Sequence, residues 1–202
     1  MALTVFLDLD RTLFQTDLFD EQRWGLLAQW YPEVVNLPSE WARQREFYVY
    51  HGELYFYDFT AHMTALGLDV NEVYERLRTS ELADGRLEYE GVRALVEWVR
   101  ERGDVRILTF GPEDYQSLKL ALCPSLRAVP VHRTLEEKGG FFRSLSHDAA
   151  DEVWMVDDKL IPELPAYVHY VQADVERKGV ERQGWAVITE LAELPGVIAA
   201  RQ

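Results

Sequence analysis

Short apolar segments that end in polar side chains recur along this chain and constrain its fold more than any other feature. Residues 3–7 are apolar and β-prone, and they end abruptly in Asp8-Leu9-Asp10-Arg11-Thr12. Residues 105–110 and 152–156 are also mainly apolar, and Asp157-Asp158 follows the second of these segments. Such continuous runs are typical of strands that are buried on both faces of a parallel sheet.

Helical patterns lie between the predicted strands. Residues 91–102 are amphipathic, with apolar side chains at helical spacing, and residues 113–122 form a second predicted helix. Further strands are predicted at residues 128–131 and 167–171, and a short strand that runs into a helix at residues 185–194. This alternation predicts an α/β fold built on a doubly wound, Rossmann-like parallel sheet with right-handed crossovers.

The segment from about residue 14 to residue 87 interrupts this alternation. It contains predicted helices at residues 18–30 and 69–82, a further helix that begins with Ser39 as its cap, and no clear strand. We therefore predict an α/β core domain with an inserted α-helical cap domain. The predicted boundaries are 1–13 and 88–202 for the core and 14–87 for the cap.

The aromatic stretch at residues 47–63 is predicted to be helical as well. It contains seven tyrosine and phenylalanine residues in the thirteen positions from Phe47 to Phe59. We expect these rings to pack the cap helices against one another. The alternative is that they line a pocket for a ring-bearing or sugar leaving group.

Charge narrows the range of partners. The net charge is −14 at pH 7, with 35 acidic residues against 21 lysines and arginines. An acidic surface repels nucleic acid and anionic membranes, so we expect neither as a partner. A single cysteine excludes an internal disulfide, and neither a basic leader nor an apolar run of roughly 20 residues is visible. We expect a cytoplasmic protein, and we leave open whether it is a monomer or a homodimer.

The polar groups at the predicted strand ends should meet at one edge of the sheet, because parallel strands place their carboxyl ends together. These groups are Asp8 and Asp10, Thr109, and the pair Asp157 and Asp158. Four carboxylates in one crevice would repel one another, and a hard divalent cation such as Mg²⁺ would remove that conflict. The chemistry that follows is phosphoryl transfer, with one carboxylate as nucleophile and a second carboxyl group as proton donor.

A lysine would complete such a phosphate site by neutralising the transferred group. Lys138, in the sequence Glu136-Glu137-Lys138-Gly139-Gly140, is the candidate that we favour. Lys119 is the rival, but its helical surroundings predict a side chain that faces solvent.

Taken together, these motifs resemble the haloacid dehalogenase superfamily of phosphohydrolases. The first family motif, an apolar strand followed by Asp-X-Asp-X-Thr, stands here as Asp8-Leu9-Asp10-Arg11-Thr12. Thr109 ends the strand of the second motif, Lys138 is assigned to the third, and Asp157-Asp158 ends the strand of the fourth. The resemblance covers nearly the whole chain in the family's order. One departure is Arg11, which stands where glycine is common.

The resemblance implies a role for each of the charged residues. Asp8 would attack phosphorus, and Asp10 would protonate the leaving oxygen and later deprotonate the attacking water. Lys138 would neutralise Asp8 and the transferred group. Mg²⁺ would be held by the Asp8 carboxylate, the backbone carbonyl of Asp10 and a fourth-motif acid, with Asp158 favoured over Asp157 as the direct ligand.

The resemblance also implies phosphate ligands and a substrate class. Thr109 and the backbone N–H groups of Phe110 and Gly111 would bind the phosphoryl oxygens, and Thr12 would help to hold the Asp10 loop and the phosphate site. A helical insert after the first motif implies a cap that favours small phosphate esters over protein substrates. We therefore expect a Mg²⁺-dependent phosphatase that acts on a small-molecule phosphate monoester.

Two alternatives remain open. A phosphomutase of the same superfamily would use the same residues but return the phosphoryl group to a sugar. A catalytically silent module would use the crevice to bind a ligand or a partner. Carbon–halogen cleavage is disfavoured, because the dehalogenase branch lacks the second aspartate that Asp10 supplies here.

Overall fold

The structure is a computed structural model of the chain, and it describes residues 3–52, 54–146, 152–179 and 184–201. The strands in these residues are β1 (Leu3–Leu7), β2 (Tyr48–His51), β3 (Leu54–Tyr57), β4 (Gly103–Phe110), β5 (Val131–Thr134), β6 (Glu152–Asp157), β7 (Val168–Ala173) and β8 (Ala186–Ile188). The α-helices are α1 (Thr16–Trp30), α2 (Leu37–Arg43), α3 (Phe59–Ala65), α4 (Val70–Arg78), α5 (Val92–Arg100), α6 (Glu113–Ala121), α7 (Lys138–Ser144) and α8 (Leu194–Ala199).

Six of the strands form one parallel sheet in the order β5-β4-β1-β6-β7-β8. β1 lies at its centre, where Leu7 is paired with Ile107 of β4 and with Val156 of β6. This register brings the carboxyl ends of the three strands to the same edge. The predicted α/β, doubly wound parallel sheet is therefore confirmed.

Both faces of the sheet are covered, which explains why its strands are apolar without alternation. Val5 and Leu7 of β1 belong to one buried cluster, together with Trp154 of β6. Phe6, which points to the opposite face, belongs to a second cluster that includes Phe142 of α7. Neighbouring residues of one strand thus enter different cores, as the pleat of a strand requires.

Two elements near the end of the sheet differ from their predictions. The strand predicted at residues 128–131 lies at Val131–Thr134, because Pro130 has no N–H to donate to a ladder and the strand starts after it. No helix was predicted around Lys138, which is the first residue of α7.

The prediction of a helix through residues 47–63 is wrong for its first half. β2 and β3 form an antiparallel hairpin in which Tyr48 pairs with Tyr57 and Tyr50 pairs with Tyr55. Gly52 lies between the strands at φ +62°, a left-handed conformation that glycine adopts without strain. Aromatic residues favour strands, and the hairpin follows that preference.

Helices account for most of the remaining segment between β1 and α5. The helix predicted at residues 69–82 is α4, and the Asp69 side chain caps it by accepting hydrogen bonds from the N–H groups of Asn71 and Glu72. The prediction that Ser39 caps a helix is wrong, because α2 starts two residues earlier and Ser39 lies within it. None of the helices in the described part of the chain has the length and apolar character that crossing a membrane requires.

The two connections between the sheet and this segment lie side by side. The N–H of Gln15 donates to the carbonyl of Leu87 at 2.8 Å, and the Gln15 side chain donates to the carbonyls of Arg86 and Glu88 at 3.1 and 3.0 Å. The exact limits of a core and a cap domain stay a prediction. The hydrogen bonds do bring the start and the end of the segment to the same edge of the sheet.

Candidate active site

A buried lysine joins the ends of the two central strands. The Nζ atom of Lys138 lies 2.6 Å from Oδ1 of Asp8, which follows β1, and 2.6 Å from Oδ2 of Asp157, which ends β6. All three side chains are at least nine-tenths buried. Burial alone would lower the pKa of Lys138, but the charges of Asp157 and Asp8 outweigh it and raise that pKa, so the ammonium form persists.

Asp158 completes a group of three carboxylates. Oxygen atoms of Asp8, Asp157 and Asp158 all lie within 4.8 Å of one another. Burial and the charge of Asp157 raise the pKa of Asp158 to about 7. Burial likewise raises the pKa of Asp8, although Lys138 opposes the shift. Three ionised carboxylates here would carry more negative charge than one lysine neutralises, and the raised pKa values of Asp158 and Asp8 reflect this conflict as well as burial.

These donors fit a hard divalent cation. Mg²⁺ prefers carboxylate oxygens, and a second cation would relieve the repulsion that raises the pKa of Asp158 and Asp8. The Asp157 carboxylate is already engaged by Lys138 and by the N–H of Lys159 at 2.8 Å. The Asp158 carboxylate accepts no hydrogen bond from the described residues. This difference supports Asp158 as the more available ligand.

Asp10 lies outside the carboxylate group and has its own set of donors. Its Oδ1 accepts from Nζ of Lys119 at 2.6 Å and from the Thr16 hydroxyl at 2.7 Å, and its Oδ2 accepts from Nε2 of Gln116 at 3.1 Å. Burial would raise the pKa of Asp10, but the charge and hydrogen bond of Lys119, with the other two donors, lower it below its usual range. Asp10 is therefore ionised, and both of its carboxylate oxygens accept hydrogen bonds.

The prediction that Lys119 faces solvent is wrong. Its side chain is only 5% exposed, and the Nζ atom lies 4.5 Å from the centroid of the Tyr115 ring as well as against Asp10. The sequence of α6 carries no clear signal for this burial, because polar residues are spread along the helix. Lys119 lies on the buried side, where the Asp10 carboxylate offsets its charge.

The predicted phosphate ligands differ in whether their polar groups already have hydrogen-bond partners. Thr12 and Thr109 are fully buried, and neither hydroxyl has a hydrogen-bond partner among the described residues. The Phe110 side chain lines the cavity described below. The N–H of Gly111 donates to the carbonyl of Thr134 at 3.0 Å, so this amide is occupied as the chain stands. Their roles as phosphate ligands stay predictions.

The presence of glycine at position 111 has a structural explanation that does not depend on phosphate binding. Its φ is +136°, and a Cβ atom there would lie 2.6 Å from Nε2 of Gln116. That same nitrogen donates to the carbonyl of Phe110 at 2.8 Å and to Asp10. A side chain at residue 111 would therefore displace one of the three donors that hold Asp10.

Arg11 also departs from the usual backbone region. Its φ is +56°, which is uncommon for a residue with a side chain and explains why glycine is favoured at this position. Its guanidinium lies 2.5 Å from Asp17 and 3.7 Å from Glu176. These two carboxylates hold Arg11 at the mouth of the site.

A cavity of about 380 Å³ opens onto these residues. One end, called the catalytic end after the reaction proposed below, is lined by Asp8, Asp10, Lys119, Lys138 and the acidic pair. The opposite side is formed by the β2–β3 hairpin and the residues behind it. The hairpin end is lined by Asp20, Gln44, Tyr48, Leu54, Tyr55, Phe56 and Tyr57.

No protein-family model matches this chain, and no curated protein matches it in sequence. Its fold does match solved structures. A haloacid dehalogenase-like hydrolase from Burkholderia xenovorans gives a TM-score of 0.72 at 17% identity, over 98% of this chain and 97% of that one. A hydrolase of the same class from Bacillus subtilis, solved with bound magnesium, gives 0.58 at 16% identity over 98% of each chain.

A protein of Thermotoga maritima assigned as a β-phosphoglucomutase also matches, with a TM-score of 0.58 at 15% identity over the full length of both chains. The chain therefore has the fold of the haloacid dehalogenase-like hydrolases. That fold is shared by hydrolases and mutases, so the reaction depends on the residues of the site rather than on the fold.

Proposed function

We propose that this protein is a Mg²⁺-dependent phosphatase that acts on a small-molecule phosphate monoester through an aspartyl-phosphate on Asp8. The observation that carries the proposal is the group formed by Asp8, Asp157, Asp158 and Lys138 at the ends of two neighbouring parallel strands. Mg²⁺ held by Asp8, Asp158 and the Asp10 carbonyl would neutralise charge on the phosphoryl oxygens.

Asp8 is suited to nucleophilic attack. Lys138 engages its Oδ1, and no described residue donates to its other oxygen, which leaves that oxygen free to attack phosphorus. The bond from phosphorus to the leaving oxygen then breaks, and the leaving oxygen takes a proton. Lys138 stays beside the transferred group and offsets its negative charge.

Asp10 is suited to move the proton. Its lowered pKa keeps it ionised in the free protein, which is the form that accepts a proton from water in the second step. For the first step it must carry a proton. The negative charge of an entering phosphate would raise the pKa of Asp10 and favour that form, since like charges repel.

The test measures inorganic phosphate released from a panel of phosphate monoesters with Mg²⁺ and with a chelator. Asp8→Asn should lower kcat/KM by roughly 10⁴-fold or more, as loss of a covalent nucleophile does. Asp104→Asn is the matched control, because Asp104 is an exposed aspartate paired with Arg106 at the opposite end of β4. An undiminished rate in Asp8→Asn would refute the proposal.

The same assay separates the two open alternatives. Isomerised sugar phosphate without release of inorganic phosphate would identify a mutase, and nothing in the described cavity favours that outcome. Binding of Mg²⁺ without turnover across the panel would identify a silent binding module.

A further inference from the structure

The hairpin end of the cavity differs chemically from the catalytic end, and its residues indicate which leaving group the substrate carries. The hairpin meets the rim of the sheet at two places. The Phe56 ring lies 6.2 Å from the Phe110 ring, and Nζ of Lys159 lies 5.9 Å from the Tyr55 ring. Phe110 and Lys159 follow the second and fourth motifs, so the hairpin stands across from the carboxylate group.

The wall that the hairpin presents is aromatic and open to solvent. Tyr55 is 50% exposed, and Phe56 is also only partly buried. The expectation that these rings pack cap helices together therefore fails for Tyr55 and Phe56, whereas Tyr57, which also lines the cavity, is buried and hydrogen-bonded to His62 of α3. Exposed rings in a concave site are surfaces on which the ring of a ligand can pack face to face or edge to face.

Behind this wall lies an acceptor whose bonds are weak. The Asp20 carboxylate is 23% exposed and lies 3.2 Å from Nη1 of the buried Arg23. The Tyr115 hydroxyl and the Gln44 amide approach it only to 3.4 and 3.5 Å. Charge-assisted hydrogen bonds to a carboxylate are usually shorter than about 3 Å. Asp20 can therefore accept a further N–H or O–H from the cavity.

Three of the four cations that line the cavity are paired with carboxylates. Lys138 bridges Asp8 and Asp157, Lys119 holds Asp10, and Arg11 is paired with Asp17. The fourth, Lys159, forms no salt bridge with the described residues and lies beside Tyr55. At Asp20 the nearest cation is the buried Arg23, which the Asp20 carboxylate already neutralises, so an anionic substituent placed there would be repelled by that carboxylate.

We propose that the leaving group is an uncharged or cationic ring that packs on the hairpin and donates an N–H or O–H to Asp20. This substrate class rests on the proposed function, because it assumes that the phosphoryl group occupies the catalytic end. It excludes phosphate esters whose leaving group carries a carboxylate or a second phosphate.

The test measures binding, so that it does not depend on turnover. Four esters are titrated with Mg²⁺ into Asp8→Asn protein by calorimetry: phosphotyramine, phenyl phosphate, 4-carboxyphenyl phosphate and glycerol 2-phosphate. Phosphotyramine should bind at least about tenfold more tightly than the carboxyphenyl ester. Phenyl phosphate should bind roughly three- to tenfold more tightly than the glycerol ester.

Variants assign each preference to its residue. Asp20→Asn should reduce the ratio between phosphotyramine and the carboxyphenyl ester. Phe56→Ala should reduce the ratio between phenyl and glycerol esters, and Phe56→Leu serves if the alanine variant does not fold. Tyr50→Ala is the matched control, because Tyr50 lies on the same hairpin, is 67% exposed and does not line the cavity.

Equal or reversed affinities in either pair, or binding of none of the four esters, would overturn the substrate class. Failure of the wild-type protein to release phosphate from any ester would instead overturn the proposed function. The two failures are read from different measurements and cannot be confused.

Discussion

The two ends of the cavity bury a cation in different ways. At the catalytic end, Lys138 lies between two carboxylates at 2.6 Å. At the hairpin end, the fully buried Arg23 has one carboxylate at 3.2 Å, and its guanidinium lies within 5.7 Å of five aromatic ring centroids. Those rings belong to Phe19, Trp24, Tyr57, Phe59 and Tyr115.

The charged group around Lys138 is therefore suited to a reaction, whereas the environment of Arg23 is suited to stabilising the fold. The catalytic end concentrates charged groups that a phosphate and a cation can rearrange, because each charge there has charged neighbours. The Arg23 end fixes its charge by rings and by hydrogen bonds to Tyr115 and Gln44, which join α1 to α6 and to the segment before the hairpin. Substitution of Lys138 should therefore change catalysis, and substitution of Arg23 should change folding.

The largest effect is expected at Arg23. Arg23→Met should lower the free energy of unfolding by about 3–5 kcal/mol, because it leaves Asp20 and the neighbouring polar groups without their buried partner. Urea denaturation measures the change. Arg76→Met is the control, since Arg76 also lies on a ring and pairs with Glu72 but is exposed, and it should cost less than about 1 kcal/mol. Equal losses of unfolding free energy in Arg23→Met and Arg76→Met would contradict the stabilising role assigned to the buried Arg23.

Lys138→Met should act on the reaction instead. We expect kcat/KM to fall about 10²–10³-fold, the usual effect of removing one preorganised donor to a developing negative charge. Lys178→Met is the control, because Lys178 pairs with carboxylates at the surface and is 58% exposed. Steady-state kinetics on the best substrate of the panel give both values. An unchanged rate would remove Lys138 from the mechanism.

Lys119→Met should have a smaller effect on the reaction. Loss of a hydrogen bond to an ionised group is worth about 1.5–3 kcal/mol, so kcat should fall roughly 10- to 100-fold as Asp10 loses its orientation. Lys119→Arg should recover part of the rate. A change in KM alone would show that Lys119 binds substrate and does not position Asp10.

The smallest effect is a pH dependence at the buried His62. Its Nε2 lies 2.9 Å from Glu40, its Nδ1 lies 2.7 Å from the Tyr57 hydroxyl, and the charges of Arg43 and Arg23 are near. Burial lowers the pKa of His62 although Glu40 opposes the shift.

A lowered folded pKa means that the unfolded chain binds the proton more readily. The free energy of unfolding should therefore be greatest above the ordinary histidine pKa of about 6.5 and fall as the pH drops through it. Urea titrations at several pH values measure this slope, and His62→Gln should flatten it. A slope that is unchanged in the variant would assign the pH dependence to other groups.

The sheet was predictable because its strands are continuous apolar runs with polar ends. β1 was predicted at its observed bounds, and the register then brought Asp8, Asp157 and Asp158 together as the parallel arrangement requires. No feature of composition was needed for that step. The rule that parallel strands end at one edge was sufficient.

The hairpin was missed although a signal for it exists. Two aromatic runs, at residues 48–51 and 54–57, flank Gly52 and Glu53, and two residues that include glycine are a typical hairpin connection. A short stretch rich in apolar and aromatic residues does not by its periodicity distinguish a helix from short strands. The error placed the rings inside the segment rather than on the wall of the cavity.

Lys119 was missed for a different reason. Its partner Asp10 is 109 positions away, and no local pattern records a contact between a helix and the end of a distant strand. The cytoplasmic location and the absence of nucleic-acid and membrane partners also stay predictions, because they concern surroundings rather than the fold.

The paired connections at Gln15 bear on how the inserted segment can change during evolution. About seventy residues leave the sheet and return to it within the span of a single glutamine side chain. Lengthening a closed loop costs little, on the order of 0.6 kcal/mol for each doubling. Evolution could therefore replace the inserted segment at these two connections at little cost to stability. Such a replacement would change the residues that line the hairpin end of the cavity and leave the sheet unchanged.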